Sequence, residues 1–326
     1  MRYILDRTSQ RLRDISQFMD AESKLLNSAT RLIGWRQSIY AGVLISTSAA
    51  LEEFIDSLFT HYADEARSFF PVYESLPDSV KKHHDTAARN LLSRGSISGR
   101  VTKDDADEIA RALVSCLDAA VDYRLSPVVM RERASNLRID ILREGLARLG
   151  VQLDQIESKL YSTESWGELL GVHNDLENFL DDFISRRNTV AHSYESEILD
   201  RAVLRTYVGV VEQLCFKIFE YYARQLVVSS PCFVEIAQVE NYYHKIDVHA
   251  FKLENRAKIS RGDVVVGELR DGGMGSSRVL SLQYDGTNLH SVIAKGSICI
   301  GVKTDPGSSF RGNVFRVDEK AFEAIF

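Results

Sequence analysis

Hydrophobic periodicity changes once along the chain, near Ser229, Ser230 and Pro231, and this change restricts the fold to two kinds of structure joined in series. Before it, apolar residues recur at helical offsets: Leu44, Thr47, Leu51, Phe54, Ile55, Leu58 and Tyr62 share one face, and so do Leu204, Val208, Val211, Cys215, Ile218 and Tyr222. The segments 105–123 and 136–149 also read as helices, with Gly150 as a stop signal. After it the period is two. VEIAQV, IDVHAFKL, DVVVGEL, RVLSLQY and SICIGVK are short β-branched runs separated by Gly, Asn and Asp. Short strands at near-regular spacing predict a small closed barrel. The expected architecture is therefore α+β and multidomain: an α-helical bundle over 1–229, then a small β-barrel over 230–326. The Gly- and Ser-rich stretch 91–105 is expected to be a mobile connection and no phosphate loop.

Within the helical half, RRNTVAHSY at 186–194 breaks a pattern. Leu176, Phe179, Leu180, Phe183 and Ile184 form an apolar stripe, and continuing it at about 100° per residue puts Arg187 near its middle. An ionised guanidinium on a packing face costs several kcal/mol unless partners or water compensate it. A polar cleft or an interface is expected at Arg187.

Composition limits the partners. At 44% hydrophobic and 26% charged residues the chain is ordinary globular protein. A net charge of -6 attracts no nucleic acid by bulk field, so any such binding needs a local basic patch. Cys116, Cys215, Cys232 and Cys299 lack C-x-x-C spacing, which points to a reducing compartment, no structural zinc and buried thiols. The run from Tyr40 ends at Glu52 and Glu53, the N-terminus lacks a signal-peptide apolar region, and no membrane span is expected. A cytoplasmic protein without cofactor or metal is the expectation.

Arg187, Asn188 and His192 form R-N-x-x-x-H, and Tyr194 extends it to R-x4-H-x-Y. This resembles the signature of the HEPN superfamily, helical proteins many of which are metal-independent ribonucleases, and the extension is similar to that of the HepT toxins. SAALEEFIDSLF and NLRIDILREGLARLG also resemble segments of larger HEPN proteins of defence and toxin systems. The resemblance covers roughly 40–228, and the stretch of about 65–160 departs from the minimal bundle as an insertion. It implies a homodimer whose two motifs meet at the interface. The chemistry of the three residue types agrees with it: histidine, whose unperturbed pKa lies near neutrality, lets His192 serve as base or acid, Arg187 offers a charged fork to two phosphate oxygens, and Asn188 orients the imidazole or binds the phosphate. The expected product is a 2′,3′-cyclic phosphate. In HepT toxins a partner nucleotidyltransferase modifies the motif tyrosine, which makes Tyr194 a regulatory position by resemblance; simple packing is the alternative.

From VEIAQV to SICIGVK the C-terminal half resembles the second domain of translational GTPases such as elongation factor Tu. The resemblance rests on Lys258 to Asp263, the S-L-Q-Y strand and Ala294 to Lys303, with Gly262 and Gly296 at turns that would need positive φ. No G-x-x-x-x-G-K-[ST] occurs in the chain. By resemblance the barrel directs the protein to tRNA or another translation-related RNA; dimerisation or partner binding is the alternative. Tyr242, Tyr243, His244 and Lys245 are candidates for stacking and pairing with RNA, or core.

Arg186, Arg131, Arg133 and Arg138, with Arg124, Arg143 and Arg148, make the best basic patch, with a salt-bridged surface as the alternative. Lys81 to Asp85 reads as a solvated face, since adjacent histidines on a helix diverge. Glu52 or Glu53 is within conceivable reach of the motif across the bundle. GGMG at 272–275 reads as a hairpin tip. The leading reading is a homodimeric endoribonuclease, a toxin or antiviral effector, with RNA as substrate and an antitoxin or defence-system partner. The other is a non-catalytic HEPN protein that binds RNA, nucleotide or a partner, its barrel an interaction module.

Overall fold

The computed structural model describes residues 2–25, 32–95, 101–118, 122–132, 137–169, 173–192, 198–269, 273–305 and 309–325. Tyr194, Arg133, Gly272 and the 96–100 part of the Gly/Ser stretch lie outside them. The helical half comprises α1 (Arg2–Leu25), α2 (Leu32–Phe69), a 3-10 turn (Tyr73–Ser75), α3 (Asp78–Asn90), α4 (Lys103–Leu117), α5 (Pro127–Met130), α6 (Ile139–Arg148), α7 (Leu153–Leu160), α8 (Glu164–Leu169), α9 (Leu176–His192) and α10 (Arg201–Ser229). Nine strands follow: β1 (Phe233–Tyr243), β2 (Val248–Leu253), β3 (Lys258–Ser260), β4 (Val264–Leu269), β5 (Met274–Tyr284), β6 (Thr287–Leu289), β7 (Ser291–Ile293), β8 (Ile298–Thr304) and β9 (Phe310–Val317). A short α11 (Glu319–Ile325) comes last.

Both helical stripes read from the sequence are buried throughout, from Leu44 to Tyr62 on α2 and from Leu204 to Tyr222 on α10. Gly150 does stop α6: at φ 78° it lets its own N–H reach the Ala147 carbonyl and the Val151 N–H reach that of Leu146. Two expectations need correction. The stretch from Leu91 is not all loop, because Leu91–Gly95 prolongs α3 as a π-turn and α4 begins at Lys103 under a Thr102–Asp105 capping box. And Trp35–Phe69 is a helix long and apolar enough to cross a membrane by length and composition, with a mean hydropathy of 1.2 in its most apolar stretch. Half of that stretch is buried within the protein, as in the core helix of a bundle.

The chain divides into two compact units, Met1–Asp64 with Pro77–Phe219, and Glu65–Leu76 with Glu220–Phe326. In the first, α6 packs on α9 and α3 packs on α4, α5 and α6. Phe179 and Phe183 of α9 stack at 5.9 Å, and Tyr207 of α10 meets Phe179 edge-on at 5.1 Å. In the second, the antiparallel pairings run β4-β9-β1-β2-β8-β5 and return to β4, closing a six-stranded barrel with β6 on β5. The separate pair β3-β7 completes the strands. Inward-facing Ile236, Phe251, Leu282, Val302, Phe310 and Val314 fill its core.

The expected strands are all present. The strand that closes the barrel, β9, was not among them. Its alternation is interrupted at Gly312, where φ is 60° and the pairing with β4 shifts register. Gly262 has the expected positive φ of 93°, whereas Gly296 does not take up a left-handed conformation.

Candidate nucleic-acid cleavage site

α9 remains helical through His192, its last residue. Leu176, Phe179, Leu180, Phe183 and Ile184 are buried, and the stripe ends at Arg187, whose side chain is 27% exposed. Two polar groups receive the guanidinium there. One Nη donates to Asn188 Oδ1 at 3.0 Å, and the other stands 3.9 Å from Glu52 Oε1 of α2. Ser48, one turn earlier on α2, donates to the same Glu52 oxygen at 3.4 Å. The charge on the apolar stripe is thus compensated without full burial. Of the two acidic candidates on α2, Glu52 reaches the motif. Glu53 turns to α1, where Arg7 pairs with it at 3.1 Å and Arg11 closes on its other oxygen.

His192 is exposed. Five residues along an α-helix correspond to about 140° of rotation and about 7.5 Å of rise, so Arg187 and His192 lie on different faces of α9. Asn188 orients the arginine by its contact, and no contact links it to the imidazole. Tyr194 falls beyond the described residues.

Arg186 is committed within the fold. Its Nε bonds both oxygens of Asp182, at 3.0 and 2.9 Å, and an Nη reaches the Tyr40 hydroxyl at 3.4 Å. Burial opposes its charge, yet bonds with Tyr40 and Asp182 outweigh that and hold its pKa above the usual value. Tyr207 donates to Asp182 at 2.6 Å, so the 2.7 Å contact from His173 Nε2 to the same hydroxyl must be a donation by the ring. Burial pushes the Tyr207 hydroxyl up and the His173 ring down, leaving both neutral near pH 7. Sequence reading missed this network. Asp182 to Arg186 is an i,i+4 pair and was findable; His173 and Tyr207 carried no signal.

The remaining arginine candidates divide. Arg143 approaches Asp154 and Glu157 at 3.8 and 4.0 Å. Arg148 pairs with Glu144 at 2.7 Å and also bonds the Glu132 carbonyl. Arg131 is exposed and bonds the Pro127 carbonyl of its own turn. Arg124 and Arg138 are exposed.

The histidine pair is no solvated face, contrary to expectation. His84 is fully buried, and its Nε2 accepts the Ser126 N–H at 2.9 Å. His83 lies 3.2 Å from an Arg148 Nη. Burial lowers both rings to about 4, with Arg148 adding to the effect on His83. The thiol expectation also fails in part: Cys116 and Cys215 are buried, but Cys232 is only half-buried and Cys299 is exposed.

On the barrel, Tyr242 stacks on the buried His249 at 4.5 Å and donates to Asp247 at 2.6 Å, which makes it a structural residue. Tyr243, His244 and Lys245 are exposed at the β1-β2 hairpin. Leu269 and Met274 bracket the β4-β5 connection where GGMG was placed. No group of three or more metal-ligating side chains occurs among the described residues.

Comparison with curated proteins gives no match. The family model for the RiboL-PSP-HEPN domain matches residues 6–224, about two thirds of the chain, and spans Glu52, Arg187, Asn188 and His192. The chain belongs to this HEPN family.

Proposed function

We propose that the protein is a metal-independent endoribonuclease that acts as a homodimer on tRNA or another translation-related RNA, as a toxin or antiviral effector. The observation that carries this reading is a half-buried Arg187 and an exposed His192 on one helix of a HEPN domain. Cleavage without a metal needs a cation for the crowded phosphorane and groups that move protons, and these residues supply both kinds. Because the two side chains leave α9 on different faces, a second copy is the natural way to bring an imidazole to a guanidinium. The solvent-facing side of α2 suits that contact: Gly42 has open space at its Cβ position and Ile45 is 40% exposed, on the same face as Glu52. The exposed Tyr243, His244 and Lys245 suit stacking and phosphate contacts, so the barrel's part is to select RNA. Four free thiols fit a cytoplasmic setting, and an antitoxin or defence-system partner belongs to the same reading.

The test uses total tRNA in EDTA with the wild type, Arg187→Ala and His192→Ala. Wild-type cleavage ending in 2′,3′-cyclic phosphates, with both variants slower by about 100-fold or more, is expected. Intact RNA in every lane would remove the nuclease reading in favour of a binding protein.

A further inference from the structure

We propose that Glu52 is the second proton-transfer group of this site: the base that takes the 2′-hydroxyl proton, leaving His192 to protonate the departing oxygen. The inference rests on the ribonuclease reading and deepens it. Transesterification of RNA moves two protons, one off the attacking 2′-oxygen and one onto the 5′-oxygen that leaves. Arg187 cannot serve for either, since a guanidinium does not deprotonate in proteins. Of Arg187, Asn188 and His192, only His192 is able to do so in each copy.

Glu52 is 135 residues from Arg187 in sequence, yet its carboxylate stands 3.9 Å from the guanidinium. Both side chains are about a quarter exposed, at 28% and 27%, so the pair is open to a ligand. A phosphate on the guanidinium fork carries its neighbouring ribose 2′-oxygen within a few ångström of the phosphorus. A carboxylate already beside the fork is therefore within reach of that hydroxyl. The 3.9 Å separation exceeds a direct hydrogen bond, and the Ser48 contact at 3.4 Å is long, so Glu52 keeps lone pairs for a proton.

The neighbouring carboxylates differ. Glu53 is clamped by Arg7 and Arg11, and Asp182 takes two bonds from Arg186 and one from Tyr207. Among the described residues, the ion pair to Glu52 comes from Arg187 of α9, while Arg7 and Arg11 of α1 turn to Glu53. In the step, the carboxylate takes the 2′ proton and the 2′-oxygen bonds to phosphorus. The bond from phosphorus to the 5′-oxygen breaks, and an imidazolium proton goes to that oxygen. A 2′,3′-cyclic phosphate and a 5′-hydroxyl result.

Two substrates separate base from acid: an RNA oligonucleotide, and uridine 3′-(4-nitrophenyl phosphate), whose leaving group needs no proton. Glu52→Gln should slow both by about 100-fold or more, chiefly in kcat, and flatten the acid limb of the pH–rate profile, while Glu52→Asp recovers part of the rate. His192→Ala should lose far more on RNA than on the activated ester. Glu52→Gln within threefold of wild type on both substrates overturns the assignment and leaves the nuclease reading standing. Equal losses for Glu52→Gln and His192→Ala on the activated ester overturn it too, because His192 would then do more than protonate the departing oxygen and the division into base and acid would fail. A wild-type protein inert towards both substrates overturns the nuclease reading and the assignment with it.

Discussion

Arg187 stays charged at the end of an apolar stripe because partners come from two directions: Asn188 on its own helix and Glu52 on α2. His84 meets the opposite demand. It is fully buried, Ser126 N–H occupies its Nε2, and its Nδ1 has no partner, so burial disfavours a second proton more than the nearby Asp85 carboxylate favours it. Its folded pKa, about 4, lies below the 6.5 usual for histidine, which an unfolded chain approaches. The unfolded state therefore binds the proton first. The stabilisation is complete above the unfolded pKa and is lost as pH falls through the interval towards 4, about 3 kcal/mol in full and about 2 kcal/mol by pH 5. Urea denaturation at pH 7.5 and pH 5 should show that loss, and His84→Gln should show a shallower dependence on pH. An unchanged slope in the variant would mean that His84 is not the group responsible. Arg187 was legible as an anomaly because helical periodicity is local. Its partner Glu52 was legible only as one of two, because which neighbour crosses a bundle depends on packing that no spacing encodes. His84 was misread for a related reason: divergence of adjacent side chains says that one of them can face a core, not which one.

At the scale of elements, periodicity supplied nearly everything that repeats. The stripes of α2, α9 and α10 and five of the barrel strands follow from offsets of 3.6 and 2. Four strands escaped: β3, β6 and β7, whose three residues are too few to show a period, and β9, whose alternation Gly312 and a register shift break; Gly296 sits in a turn that needs no left-handed residue. A different glycine matters more to closure. A Cβ at Gly267 on β4 would come within 2.9 Å of the buried Phe310 ring of β9 and 3.4 Å of the Asn313 carbonyl, and neither the packed ring nor the backbone can yield cheaply. Gly267→Ala should destabilise the barrel by about 1–3 kcal/mol, read as a lowered denaturation midpoint with a barrel tryptophan-free probe such as far-ultraviolet circular dichroism. A midpoint equal to wild type would show that β4 and β9 pack less closely than described.

Over the whole molecule, a HEPN domain and a closed barrel are joined in one chain, and the proposed activity requires two such chains. Arg187, Asn188 and Glu52 gather on one copy, and His192 projects from a different face of the same helix. If each cleavage centre joins Arg187 of one subunit to His192 of another, co-expressed and differently tagged Arg187→Ala and His192→Ala chains form a mixed dimer with one intact centre and one lacking both groups. The account predicts that this purified mixed dimer cleaves RNA in EDTA at about half the wild-type rate, although neither parent homodimer does. A mixed dimer as inert as its parents would contradict it.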